Sequence, residues 1–196
     1  MTSSSSPTLE RGLDTMFLVY SLLDGHPASV VSEQFIRTRT GWFTTTICLL
    51  EAKAILTKAY GVEAALATAK LARLTDGLVE VMTIDRETLL AAMNLADTLG
   101  LDLTDAMLLS STRAHGVTKL ATDDHKLAQA CGQAGITLEN PIDANLRQQM
   151  AAWEVVNLPA KGLARVLRQI HQWLNRTHPQ TAEECWSQTG GGIHLP

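Results

Sequence analysis

Between Leu101 and Leu127 the chain reads LDLTDAMLLSSTRAHGVTKLATDDHKL, and this stretch restricts the fold more than any other. A helix-length run begins near Leu103, breaks at His115-Gly116, gives way to a short apolar strand, and resumes as a second helix after Asp123-Asp124. A strand set between two helices has no hairpin partner beside it, so it pairs in parallel through helical crossovers. The same stretch places acids at element ends: Asp105 in the first turn of the first helix, and Asp123-Asp124 where the strand stops. Ligands of open α/β sheets bind at that strand edge.

The rest of the chain repeats the alternation. Leu9 to Asp14 reads as a short strand interrupted by Arg11 and Gly12, and MFLVYSLL after Thr15 is helix-compatible until Asp24-Gly25-His26-Pro27. A helix from about Ala28 to Arg37 follows, then a β-rich Trp42 to Thr45. Thr45 or Thr46 can cap a helix over Ile47 to Ala59, which carries Glu51 one turn in. Val62 to Thr75 is an alanine-rich helix, and Leu78 to Ile84 alternates as a strand. Asp85 caps a helix running to about Leu99, and Gly135 to Leu138 reads as a last edge strand. Strands separated by helices predict a three-layer α/β/α domain with a central, mostly parallel sheet. Residues 1–8 read as a disordered leader, 9–140 as the α/β domain, and 141–196 as a helical C-terminal extension with a loose, glycine-rich end.

Composition narrows the setting. The strongest apolar run, Met16 to Leu23, falls well short of the roughly 20 residues that span a bilayer, so no membrane association is expected. The opening MTSSSSPTLERG lacks the basic and apolar regions of a secretory signal, and three widely spaced cysteines form no CxxC pair. A cytoplasmic protein without a zinc framework is the expectation. The net charge of −4 does not advertise nucleic-acid binding, but its distribution is uneven. Val155 to Ala182 holds Lys161, Arg165, Arg168 and Arg176 and no acid. There Leu163, Val166, Leu167, Ile170 and Leu174 form one apolar helix face, suited to covering core, building a dimer, or docking while Arg165 and Arg168 face a polyanion.

Four acids occupy special places: Asp14 at a strand end, Glu51 and Asp105 early in helices, and Asp124 after a strand. Each has a plain alternative: a turn residue at Asp14, a solvated helix position at Glu51, a dipole partner at Asp105, a cap at Asp123-Asp124. Taken jointly they say more. Carboxylates within about 4 Å repel by roughly 1 to 4 kcal/mol per pair, so a chain that gathers four needs a compensating cation. Oxygen-only donors suit Mg²⁺ or Mn²⁺, which lower the pKa of a bound water and neutralise charge on a phosphodiester. The six histidines show no ligand spacing, and His115 and His125 read as surface residues.

The segments LDTMFLVYSL, TTTICLLEAKAIL and LTDAMLLSSTRAHGVTKLATDDHKL together resemble the PIN-domain family, which includes VapC-like toxins of type II toxin–antitoxin pairs. The resemblance covers about Leu13 to Leu138. It implies that Asp14, Glu51, Asp105 and Asp124 are the family's four acids, that Thr122 is its hydroxyl position, and that Asp123 is the variable residue between. It further implies a Mg²⁺/Mn²⁺-dependent ribonuclease acting on RNA, often as a homodimer, with an antitoxin protein as a possible partner. Met16 departs from the pattern, because the residue two after the first acid is commonly polar, and the extension from Pro141 has no counterpart in the minimal toxin domain. Asp102 reads as a helix cap, and Arg37, Arg39 and Lys53 as candidates to meet phosphates. Two other readings compete: a non-catalytic PIN-like module that binds RNA or protein, and a phosphoryl-transfer protein of receiver or haloacid-dehalogenase type. The last is disfavoured because Asp14-Thr15-Met16-Phe17 lacks the second acid of DxDxT.

Overall fold

A computed structural model describes residues 8–158, 170–171 and 173–188. The leader through Pro7, the basic segment carrying Arg165 and Arg168, and the glycine-rich end lie outside the described residues. By contact density the chain divides into a unit ending at Arg147 and a second one beginning at Gln148.

The first unit holds a five-stranded sheet: β1 (Arg11–Leu13), β2 (Trp42–Thr45), β3 (Val79–Met82), β4 (Lys119–Ala121) and β5 (Thr137–Glu139), in spatial order β3-β2-β1-β4-β5. Every pairing is parallel. Seven helices connect the strands: α1 (Thr15–Leu22), α2 (Ser29–Arg37), α3 (Thr46–Lys58), α4 (Ala64–Thr75), α5 (Arg86–Leu99), α6 (Leu103–Ala114) and α7 (His125–Gln133). They make the three-layer α/β/α architecture that the sequence predicts. The helix α8 (Ala144–Asn157) crosses the division between units, and α9 (Pro179–Gln188) belongs to the second. No described helix is long and apolar enough to cross a membrane.

Element boundaries move by one or two residues from the expected ones, for local reasons. The first strand stops at Leu13 rather than Asp14, because the Asp14 carbonyl already accepts from the N–H groups of Phe17 and Leu18 as an N-cap. The last strand starts at Thr137 rather than Gly135. Gly135 sits at φ +70° and the Ile136 N–H returns to the Cys131 carbonyl, so the chain is still closing α7 there. The alanine-rich helix starts at Ala64 because Glu63 caps it, accepting from the N–H groups of Ala65 and Leu66.

Strands this short hold only because their surroundings are packed. Phe17, Leu18, Ile36, Trp42, Phe43, Leu108, Leu109, Leu120 and Leu127 are almost wholly buried, each contributing about 1.5–3 kcal/mol of apolar burial. Phe35 packs between Phe17 and Trp42, with ring centroids 5.6 and 5.3 Å away, and Trp42 Nε1 donates to the Ile36 carbonyl at 3.0 Å. Gly12, in the middle of β1, meets α6 closely: a Cβ there would lie 3.0 Å from Thr112 Oγ1 and 3.4 Å from Leu120 Cγ. Glycine is the residue that lets the helix carrying Asp105 approach the strand that leads to Asp14.

Candidate active site

Because all five strands run the same way, their carboxyl ends share one edge. Asp14 follows β1, Thr46 opens α3 directly after β2, and Thr122 to Asp124 follow β4. Thr44 Oγ1 donates to the Leu13 carbonyl at 2.9 Å, which fixes the backbone beside Asp14, and the Asp14 N–H donates to the Ala121 carbonyl at 3.0 Å. Thr45 caps α3 by accepting from the Cys48 N–H at 3.2 Å, placing Glu51 one turn in. Asp102 caps α6 by accepting from the Asp105 N–H at 2.9 Å, so Asp105 lies at the start of that helix.

Hydroxyls knit the acids to their neighbours. Thr122, fully buried, donates from Oγ1 to Asp14 Oδ2 at 2.7 Å, and the same oxygen accepts from the Asp124 N–H at 2.9 Å. Thr15, also buried, donates to Glu51 Oε2 at 2.7 Å. Asp124 is exposed, and its Oδ1 caps α7 by accepting from the N–H groups of Lys126 and Leu127 at 2.7 and 2.9 Å.

The charges of the four acids reach one another. Burial pushes the Asp14 carboxyl from 3.8 up to about 7; Glu51 and Asp124 push further, opposed by hydrogen bonds from Thr122 and the Thr15 backbone. Asp105 rises from 3.8 to about 8, first through burial, then through repulsion by Asp14, Asp102, Asp124 and Glu51. The thiol of Cys131, on α7, rises to about 11 through burial and the nearby charges of Asp14 and Asp105, which keeps it protonated at neutral pH. Asp123 is not among the charges pressing on Asp14 or Asp105. It turns away to accept from Asn140 Nδ2 at 3.0 Å and to pair with Arg147.

The donor set suits a hard divalent cation, because it offers carboxylate oxygens whose mutual repulsion a cation relieves. As the side chains lie, no three acidic, histidine or cysteine groups among the described residues are gathered closely enough to hold one ion. Glu51 and Asp14 each accept a hydrogen bond from a threonine hydroxyl on one carboxylate oxygen. The strand edge therefore brings Asp14, Glu51, Asp105, Asp124 and Thr122 to one place without presetting a coordination shell.

Two expectations about cations change. Arg37 ends α2 and Arg39 lies between α2 and β2, at the amino end of the parallel strands and hence on the edge opposite the acids. Arg37 pairs with Glu33 at 2.8 Å, and Arg39 lies 4.2 Å over the Phe35 ring. Lys53 is exposed on α3 two residues past Glu51, a spacing that does not share a helix face. Thr15 was not among the predicted site residues. Its signal is its position, a hydroxyl immediately after the strand-end acid, and it places a polar group beside Glu51 although the next residue is the half-buried Met16.

Comparison with known proteins agrees with this fold. The VapC20 toxin of Mycobacterium tuberculosis, described as cleaving the sarcin–ricin loop, superposes with a TM-score of 0.55 at 17% identity, over 62% of this chain and 95% of that one. The VapBC2 complex of Rickettsia felis, bound to a promoter DNA fragment, gives 0.51 at 17% identity, over 67% and 98% of the two chains. A toxin–antitoxin complex from Klebsiella pneumoniae gives 0.51 at 18% identity, again over 67% and 98%. At such identities these similarities speak for the fold. Curated protein sequences give no significant match. The PIN domain family model matches residues 13–133, well over half of the chain and all four strand-edge acids, and the chain belongs to the PIN domain family.

Proposed function

We propose that the protein is a Mg²⁺- or Mn²⁺-dependent endoribonuclease whose metal is held by Asp14, Glu51, Asp105 and Asp124. The observation that carries the reading is the raised Asp105 carboxyl, pushed to about 8 by burial and four neighbouring acids. Such crowding of like charge is costly without a cation, and family membership supplies the nuclease context. A bound divalent ion would supply a water of lowered pKa and neutralise charge developing on the phosphodiester.

The chain's own residues divide the remaining work. Asp14, Glu51 and Asp105 would hold the ion directly or through water, and Asp124, the exposed acid, would complete its shell or orient the attacking water. Thr122 keeps the Asp14 carboxylate in one rotamer through its 2.7 Å hydrogen bond, and Thr15 does the same for Glu51. Residues 9–140 form the nuclease domain and 141–196 an accessory extension. The toxin–antitoxin complexes among the structural neighbours, one of them a VapBC complex, support an antitoxin protein as partner, and a homodimer acting in the cytoplasm is part of the same reading.

One observation favours a second reading. The absence, among the described residues, of a preformed three-ligand group fits a PIN-like module that binds RNA or protein without cutting it. Purified protein incubated with RNA and Mn²⁺ separates the two. Cleavage by wild type that Asp105→Asn abolishes, with the fold intact by circular dichroism, supports the nuclease. Equal cleavage by wild type and variant would point to a contaminant, and calorimetry without Mg²⁺ or Mn²⁺ binding would favour the module.

A further inference from the structure

Asp123 sits between Thr122 and Asp124 and takes the opposite direction from both. Asp124 itself is extended, at φ −76° and ψ 128°, a backbone conformation in which neighbouring side chains face opposite sides. Thr122 and Asp124 therefore turn toward Asp14 while Asp123 turns away. What receives Asp123 is built for it. Asn140 donates from Nδ2 at 3.0 Å, and its own Oδ1 is held by the Ile142 N–H at 2.8 Å, so the amide is fixed at both ends. Asp143 caps α8, accepting from the Leu146 N–H at 2.7 Å, and the first turn of that helix carries Arg147, which pairs with Asp123 Oδ1. The Asp123 side chain is only 11% exposed, while Arg147 reaches it from a side chain 48% exposed.

We propose that Asp123 is a positioning residue, tethered outward by Asn140 and Arg147 so that Thr122 and Asp124 are held toward Asp14. The proposal rests on the nuclease reading for its consequence, though not for its geometry. Two effects follow from the tether. It fixes which side of the 122–124 segment faces the acids, since rotating this segment by one residue would exchange Asp123 for its neighbours. It also matches one acid of the Asp123-Asp124 pair with a cation, so that this charge is not added to the crowded edge. The arginine comes from the first turn of α8, so the sequence that begins the C-terminal extension also sets the loop beside the acids.

The test uses the full chain and the variants Arg147→Ala and Arg147→Lys, with two readouts. The first is amide hydrogen exchange at Asp124, whose N–H donates to Thr122 Oγ1. Arg147→Ala should speed exchange there by about tenfold, with the β1 and β2 amides unchanged. The second is RNA cleavage in Mn²⁺: Arg147→Ala should lower kcat by about tenfold at constant KM, and Arg147→Lys should recover most of both losses by restoring the charge. Unchanged exchange at Asp124 overturns the tether. Faster exchange with unchanged kcat, or a loss that Arg147→Lys does not recover, overturns the positioning role. A wild type that cleaves no RNA, but whose Asp124 amide still responds, sinks the ribonuclease reading alone and leaves the tether standing.

Discussion

The three-residue strand β1 has two ends that solve the same electrostatic problem in opposite ways. At its start Arg11 is surrounded: it pairs with Glu10 at 2.6 Å and Glu139 at 3.1 Å, donates to the Thr40 carbonyl at 2.7 Å, and lies 5.8 Å over the Trp42 ring. The Arg11 charge there is matched by opposite ones. At the other end Asp14 faces Glu51, Asp105 and Asp124, and receives the Thr122 hydroxyl rather than a cation. The first end stitches β1 to β5 and to the loop before β2. The second leaves its acids pressing on one another, a repulsion that a bound cation would relieve. The difference teaches that charges are paired where they join strands and crowded at the opposite strand end.

The comparison breaks most visibly at Asp105. Asp105→Asn should reduce Mn²⁺-dependent RNA cleavage by more than about 100-fold, since even partners behind a metal ligand are worth 10- to 100-fold. It should also raise the melting temperature of the metal-free protein by relieving repulsion, and a lower melting temperature would deny that the acids strain the fold. Next comes Thr122→Val, which removes the donor to Asp14 and the acceptor for the Asp124 N–H. Cleavage should fall by about 10- to 100-fold with little change in RNA affinity, measured as a split between kcat and KM.

At the balanced end, Arg11→Met should cost about 1–3 kcal/mol of stability, because Glu139 loses its partner, while kcat of the folded protein stays within about twofold. A large drop in kcat would show the two ends to be coupled. The smallest effect concerns pH. Asp14 and Asp105 have folded-state values of about 7 and 8 against 3.8 for the ordinary carboxyl, so between about pH 4 and 8 the folded state holds more protons than the unfolded. Stability of the metal-free protein should therefore fall as pH rises through that window. The melting temperature should drop steadily between pH 5 and pH 8.5, and Asp105→Asn should flatten the profile.

Legibility in the sequence followed the range of the forces involved. The order of strands and helices was readable because apolar periodicity, caps such as Thr45, Asp85 and Asp102, and breakers such as Gly25 and Gly116 act within a few residues. The strand-edge acids were readable as positions, since parallel pairing sends every strand end to one edge. What stayed hidden depended on distant partners. Thr15 meets Glu51 across 36 positions, and Asp123 finds Asn140 and Arg147 only after α7 and β5 have returned the chain. Arg37 and Arg39 misled because nearness to a helix end in sequence does not say which edge of the sheet that end reaches. Direction along a parallel sheet decides it, and both precede β2.

Gly12 adds one more consequence. The gap between β1 and α6 is set by an atom that is missing, with 3.0 Å left to Thr112 Oγ1 for any Cβ placed there. The separation of Asp14 from Asp105, carried by these two elements, thus depends on the absence of a side chain at Gly12, against the Thr112 hydroxyl. Lengthening it takes one methyl group at Gly12, which would act as a spacer inserted beneath the site, altering the reach between two acids without touching either.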